Sequence, residues 1–340
     1  MPSNYTFPSP FQAYTYDPSG TFSVPVTYEW NITGERQITS NLLARITYVG
    51  THSNHLFAAE ELNPATYIPG STLSTDQRRR YLGYTTITQT SMVGNDNYNA
   101  FQMTLEEKVS HGLNFMANYT LSHSTNSLPL QNEITDQNTG QSYVYPIYQP
   151  NFKALDIGPP DFDRLSVFSG SFVWVLPKTT TANMLVRQLV NGWQTAGIVQ
   201  VESGSPLTIV AGKDISQTNI NRDRAVYNGN AFQGAGACKA GTACKNFFNP
   251  ADFSMPATGQ FGNVQKGQFR GPGYFDWDAS LIRDISVREQ SYFEFRAEFF
   301  NVFNHTNFNN PVTSLSSGDF GGMTGAGGPR IGQLSLKLIF

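Results

Sequence analysis

The chain has 340 residues and a net charge of −3; 14% of its residues are charged and 13% aromatic, with 25 Phe and 16 Tyr. That charge is well below the roughly 25% of soluble globular proteins, and an acidic chain with no basic patch beyond Arg78-Arg79-Arg80 argues against a nucleic-acid partner. No run of about 18 apolar residues occurs, which excludes helical membrane spans.

In chain order, the opening Met1 to Tyr5 lacks the basic and apolar regions of a secretory signal. The first predicted strand covers about 22–33. A Gly34-Glu35-Arg36 turn leads to a second at 38–49, where Leu42, Ala44, Ile46 and Tyr48 alternate with Asn41, Leu43, Arg45 and Thr47. The third, at 97–109, alternates Phe101, Met103 and Leu105 with Gln102, Thr104 and Glu106. A Ser110-His111-Gly112 turn joins it to the fourth, at 112–122, where Leu113, Phe115, Ala117, Tyr119 and Leu121 form one face. Strands at 163–176 and 192–202 follow. In 274–287, Phe275, Trp277, Ala279 and Leu281 alternate with Asp276, Asp278 and Ser280. In 291–303, Phe293, Phe295, Ala297 and Phe299 alternate with the charged ladder Glu294, Arg296 and Glu298. The ninth, at 331–340, alternates Leu334, Leu336 and Leu338 with Gln333, Ser335 and Lys337 and ends on an aromatic, Phe340. Period-2 alternation gives each strand one apolar and one polar face.

The predicted connections alternate in length without a break: 34–37, 110–111 and 288–290 are short and 177–191 is medium, whereas 50–96, 123–162, 203–273 and 304–330 are long. Strands of about 10–13 residues, short turns at one end, long loops at the other and a terminal aromatic on the short-turn side are the pattern of an outer-membrane barrel. The fold class read from the sequence is therefore all-β: an antiparallel up-and-down meander forming part of a transmembrane outer-membrane β-barrel. The charged ladder would line the lumen, paired with Asp276 and Asp278, and the Phe face would meet lipid. The competing architecture is a soluble extracellular β-sandwich that binds carbohydrate or mediates adhesion; it requires two packed sheets and Greek-key crossings.

Candidate sites are few. His52 and His55 stand at the start of a long loop without a third metal ligand in register. Asp161 and Asp163 read as an acidic strand entry with Arg164 as partner. The Gly318–Gly328 stretch lacks the Lys-Ser/Thr ending of a phosphate loop and reads as a flexible external loop. Cys238 and Cys244, the only cysteines, fit a local disulfide in an oxidising compartment. No catalytic, cofactor-binding or metal-ligating residue set stands out, and an enzyme is not expected. The aromatic and Asn-rich loop 203–273 is the candidate ligand-facing surface.

Several stretches carry a resemblance: EWNITGERQITSNLLARITYVGTHSNHLF (29–57), NYNAFQMTLEEKVSHGLNFMANYTLSHS (97–124), PPDFDRLSVFSGSFVWVLP (159–177), NGWQTAGIVQVESGSPLTI (191–209), FFNPADF (247–253), FRGPGYFDWDASLIRDI (269–285), FEFRAEFFNVFNHTNFNNP (293–311) and PRIGQLSLKLIF (329–340). In this order they resemble the C-terminal barrel of TonB-dependent outer-membrane receptors, nearest to the Oar-like subgroup, which often carries a carboxypeptidase-regulatory-like N-terminal domain. The resemblance implies a barrel of about 22 strands, a plug, active uptake of a solute, and an energy-coupling complex that pulls on an N-terminal segment. Residues 1–340 would then be a partial barrel domain without plug or signal peptide. Its partners would be outer-membrane lipid, the missing N-terminal barrel and plug, and, through these, the TonB complex. The solute is not legible.

Overall fold

The computed structural model describes residues 10–18, 23–129, 142–180, 183–229, 247–288 and 291–340. In chain order the elements are β1 (Phe11–Tyr16), β2 (Val26–Gln37), β3 (Leu42–Glu61), β4 (Tyr84–Ser110), β5 (Leu113–Asn126), β6 (Ser166–Val175), helix α1 (Met184–Val190) and β7 (Trp193–Glu202). They continue with the two-residue strands β8 (Pro206–Leu207), β9 (Val226–Tyr227), β10 (Phe253–Ser254) and β11 (Phe269–Arg270), then β12 (Tyr274–Arg288), β13 (Ser291–Phe300) and β14 (Ile331–Ile339).

The nine long strands form one antiparallel sheet in the order β14-β13-β12-β7-β6-β5-β4-β3-β2. Successive long strands are neighbours in space, the meander that the sequence implies. No Greek-key crossing and no second packed layer of long strands occurs among the described residues, so the sandwich expectation is not met. Among the described residues the sheet is open: β2 and β14 each pair along one edge only.

Register puts most of the apolar side chains of the nine long strands on one face. Phe295 lies opposite Leu336 and Arg283, and Phe299 opposite Ala279. Farther along, Phe172 lies opposite Phe115 and Gly197, and Met103 opposite Tyr119 and Ile46. This face is bare of protein: Leu334 is 71% exposed and Phe340 94%. Water would not leave so long an apolar band uncovered, whereas hydrocarbon covers it at no cost. At Gly197 the backbone accepts close cover. A Cβ there would sit 2.7 Å from the Phe172 ring and 3.0 Å from the Trp277 indole, so rings on adjacent strands close over the bare glycine.

The connections sort by length as expected, with shifted boundaries. Short links lie at 38–41, 111–112 and 289–290, and a medium one at 176–192; long ones span 62–83, 127–165, 203–273 and 301–330. The first turn differs from the sequence reading. Gly34, Glu35 and Arg36 remain in β2, paired with Ile46, Arg45 and Ala44, and the chain reverses at 38–41, where the Thr39 hydroxyl accepts from the Asn41 and Leu42 amides. The second turn is as read: His111 and Gly112 both take positive φ (51° and 79°), as a tight hairpin turn demands. A side chain at Gly112 would also meet the Val175 carbonyl oxygen at 2.5 Å. Gly112→Val is therefore expected to lower stability by roughly 1–3 kcal/mol, while Gly34→Ala, with nothing within 4 Å of its Cβ, leaves it unchanged. Urea midpoints of the two variants check this; equal midpoints would refute it.

Three features depart further from expectation. Strands β3 and β4 run 20 and 27 residues, about twice a bilayer crossing, and form a tall hairpin above the apolar band. The medium link contains α1, where the Asn183 side chain accepts from the Val186 amide and caps the helix. Finally, β1 pairs parallel with the upper part of β4, from Phe11 opposite Tyr84 to Tyr16 opposite Thr90. Strand β5 ends opposite Asp96, so β1 covers the part of that β4 edge which β5 leaves free.

Candidate functional site

The long-loop end is a packed cap. Leu207, Ile209, Ala225, Phe247, Phe248, Phe253, Val264, Phe269 and Met323 form a buried cluster, flanked by Tyr227, Phe308, Leu315 and Phe320. It is aromatic-rich: Phe248 packs edge-on against Phe253 and Phe269 at 5.9 and 5.8 Å and stacks on Phe320 at 6.0 Å. The short pairs β8–β11 and β9–β10 brace it. Loops 203–273 and 301–330 thus share one core. The Gly318–Gly328 stretch, expected to be a flexible loop, packs into this core: Met323 is buried, and the Gly321 amide bonds to the Val312 carbonyl while its own carbonyl accepts from Phe247. Its glycines allow that close approach.

Cations anchor the cap to the strands. Arg224 and Asp156 form a fully buried ion pair between two loops, and Asp156 Oδ2 also accepts from the Val144 amide at 2.8 Å. Lys266 Nζ donates to Asn126 Oδ1 at the top of β5 and to the Leu128 carbonyl at 3.1 Å. Asp163 pairs with Arg270 and accepts from the Ser124 amide. Arg164, the expected partner of this carboxylate, reaches only the Asp161 and Asp163 carbonyls and forms its ion pair with Glu202 at 3.4 Å. Arg270 wins because it enters from the packed β8–β11 pair, fixed beside Asp163.

Burial raises the carboxyl groups of Glu60, Glu61 and Asp223, all above the apolar band, from their ordinary values of 4.5, 4.5 and 3.8. Each is held by hydrogen bonds: Ser91 donates to Glu60, the Asn63 and Ile87 amides to Glu61, and the Ser216 amide to Asp223. A raised folded value means that the folded cap keeps protons that the unfolded chain has released. Their contribution is full below the ordinary values and is lost as pH rises through the folded ones. Amide exchange in the cap, corrected for intrinsic rate, is expected to be slower at pH 5 than at pH 8; the reverse order would overturn this assignment.

His52 and His55 lie inside β3, not in a loop. The His52 ring bonds through Nδ1 to Asn97 Oδ1 at 2.6 Å, and His55 takes a positive φ of 60° where the β3–β4 register shifts. No three His, Cys, Asp or Glu side chains gather as a metal site among the described residues. The ladder Glu294, Arg296 and Glu298 pairs within itself, Arg296 reaching Glu294 at 3.3 Å and Glu298 at 3.4 Å. Glu298 also accepts from Gln333. The expected partners Asp276 and Asp278 sit farther up β12, opposite Gln200 and Ile198 of β7, and Asp278 accepts from the Asn301 amide. The ladder faces Ser280, Ile282 and Asp284 instead, one residue pair after another along the β12–β13 register. Cys238 and Cys244 lie outside the described residues.

An apolar face open to lipid, a polar face behind it and a folded cap at one end agree with the sequence comparison. The profile of the outer membrane beta barrel domain matches residues 1–333. The chain belongs to the outer membrane β-barrel domain family. This barrel domain therefore lies in the outer membrane of a Gram-negative type cell, its long strands crossing the bilayer. No curated protein sequence matches it. Among solved structures it is similar to the outer membrane transporter YddB from Escherichia coli (12% identity, TM-score 0.45, 94% of this chain and 33% of that one). It is also similar to FpvA of P. aeruginosa (11%, 0.44, 93% and 27%) and to the ferric-catecholate import receptor Fiu from E. coli K12 (11%, 0.42, 93% and 27%). The barrel domain spans about a third or less of the length of these proteins.

Proposed function

We propose that this barrel domain is the C-terminal wall and external cap of a TonB-dependent receptor that takes up a solute across the outer membrane. The observation that carries the reading is the open sheet: its apolar face is continuous, yet among the described residues β2 and β14 each leave an edge unpaired. Unpaired backbone groups in hydrocarbon cost several kcal/mol each, so both edges call for further strands. A longer polypeptide with an N-terminal barrel portion and plug would supply them, and through that portion the TonB complex would act. Transport, rather than catalysis, is the role this architecture supports.

Immunoblotting of outer membranes with an antibody against this chain tests the reading. A species about three times the 37.6 kDa of the chain, in line with its 33% share of YddB, supports it. A 37.6 kDa species alone overturns it.

A further inference from the structure

We propose that the cap carries a binding site for a neutral oligosaccharide, in the cleft between residues 145–154 and 256–263. This deepens the receptor reading by naming the substrate class, and it rests on that reading for its role in uptake.

The cleft has a volume of about 790 Å³ and is lined by residues of the two long loops 127–165 and 203–273. Space of that size seats several sugar rings. Two half-buried rings line it, Tyr145 and Phe261, meeting edge to face at 5.0 Å. Gln149, Asn151 and Gln260 line it too, and their side-chain amides form no hydrogen bond within the described chain. Asn263, by contrast, is committed to the Tyr227 backbone through both its donor and its acceptor. The walls are set by tight packing: a Cβ at Gly262 would strike the Arg224 carbonyl oxygen at 2.2 Å, and one at Gly259 the Tyr67 ring at 2.2 Å. The amides and rings are therefore presented from fixed backbone, which limits the entropy lost on binding.

The chemistry of the lining selects the ligand. No Asp, Glu, Lys or Arg lines the cleft among the described residues, so it offers no counter-charge to an anionic chelate or a charged peptide terminus. A pyranose has an apolar C–H face and a rim of hydroxyls that both donate and accept. Aromatic rings match the face, and carboxamides, which also donate and accept, match the rim.

The test is calorimetric titration of the full chain, extracted from outer membranes in a detergent without a sugar headgroup. The probes are maltohexaose, cellohexaose, trigalacturonate and trialanine. Saturable binding of a neutral hexasaccharide is expected, with trigalacturonate and trialanine inert. Tyr145→Ala should weaken it about tenfold, Gln260→Ala several-fold, and Phe261→Trp should retain it. Near-UV circular dichroism confirms that each variant keeps its cap. The proposal is overturned if neither hexasaccharide binds at about 10 mM, if trigalacturonate or trialanine binds as well, or if binding survives Tyr145→Ala. Binding is read on the purified chain and the receptor assignment on the mass of the membrane species, so either fails independently of the other.

Discussion

Leu334→Arg is expected to destabilise the membrane-held sheet by about 2–4 kcal/mol, the cost of a cation near the bilayer midplane on a lipid-facing strand. Leu334 stands six residues from the terminal Phe340, which places it about 15 Å up a tilted strand, near the middle of the apolar band. Its neighbour Ser335 points the other way, opposite Arg296 on the polar face. Ser335→Glu adds a charge one residue away and is expected to stay within about 0.5 kcal/mol of the parent. Tryptophan-monitored urea unfolding in outer-membrane vesicles separates the two. Equal effects would mean that the faces are not lipid and lumen.

Arg224→Met is expected to cost about 3–5 kcal/mol, because it strands the Asp156 carboxylate in a site with no access to water. Both side chains of the pair are fully buried, and Asp156 would keep the Val144 amide as a donor but lose its ion-pair partner Arg224. The damage should be confined to the cap, since neither residue touches the strand ladder. Limited proteolysis of intact vesicles is expected to cut the variant within 142–165 and 203–229, the loop segments that carry Asp156 and Arg224, while the strands stay protected. Adding Asp156→Leu removes the orphaned charge and should restore more than half of the resistance. A single variant as resistant as the parent would show that the pair does not hold the cap.

How much of this was legible depends on what lies on each side of the chain. Within the bilayer one face meets lipid and the other the lumen, so period-2 alternation is sharp; Phe293 to Phe299 and Leu334 to Leu338 are unambiguous. Above the bilayer both faces of β3 and β4 are polar or packed on neighbours, and segments such as Thr51 to Asn54 lose the alternation. Those extensions therefore read as loop, and His52 and His55 with them. Strand β1 has no local signal because its partner lies more than 70 residues away. Gly34 reads as a turn residue by type, yet its backbone stays extended in β2, and the hydroxyl of Thr39 makes the turn instead. The cap core is the largest omission. Its Phe residues follow no period, and the one available cue was their density in FFNPADF. The cleft could not be seen from sequence, since its walls come from loops about 100 residues apart.

The shared core of the cap also dictates an order of events as the chain folds. Its members run from Leu207 to Met323, so the β12–β13 hairpin lies wholly inside the loop that must close. The hydrophobic cluster gains nothing until that hairpin has brought 203–273 and 301–330 together at one level, because the entropy of closing so long a loop comes before any contact offsets it. The cap is thus a late structure, condensing on strands already paired, and until then its phenylalanines are the segment most exposed to aggregation or to chaperones.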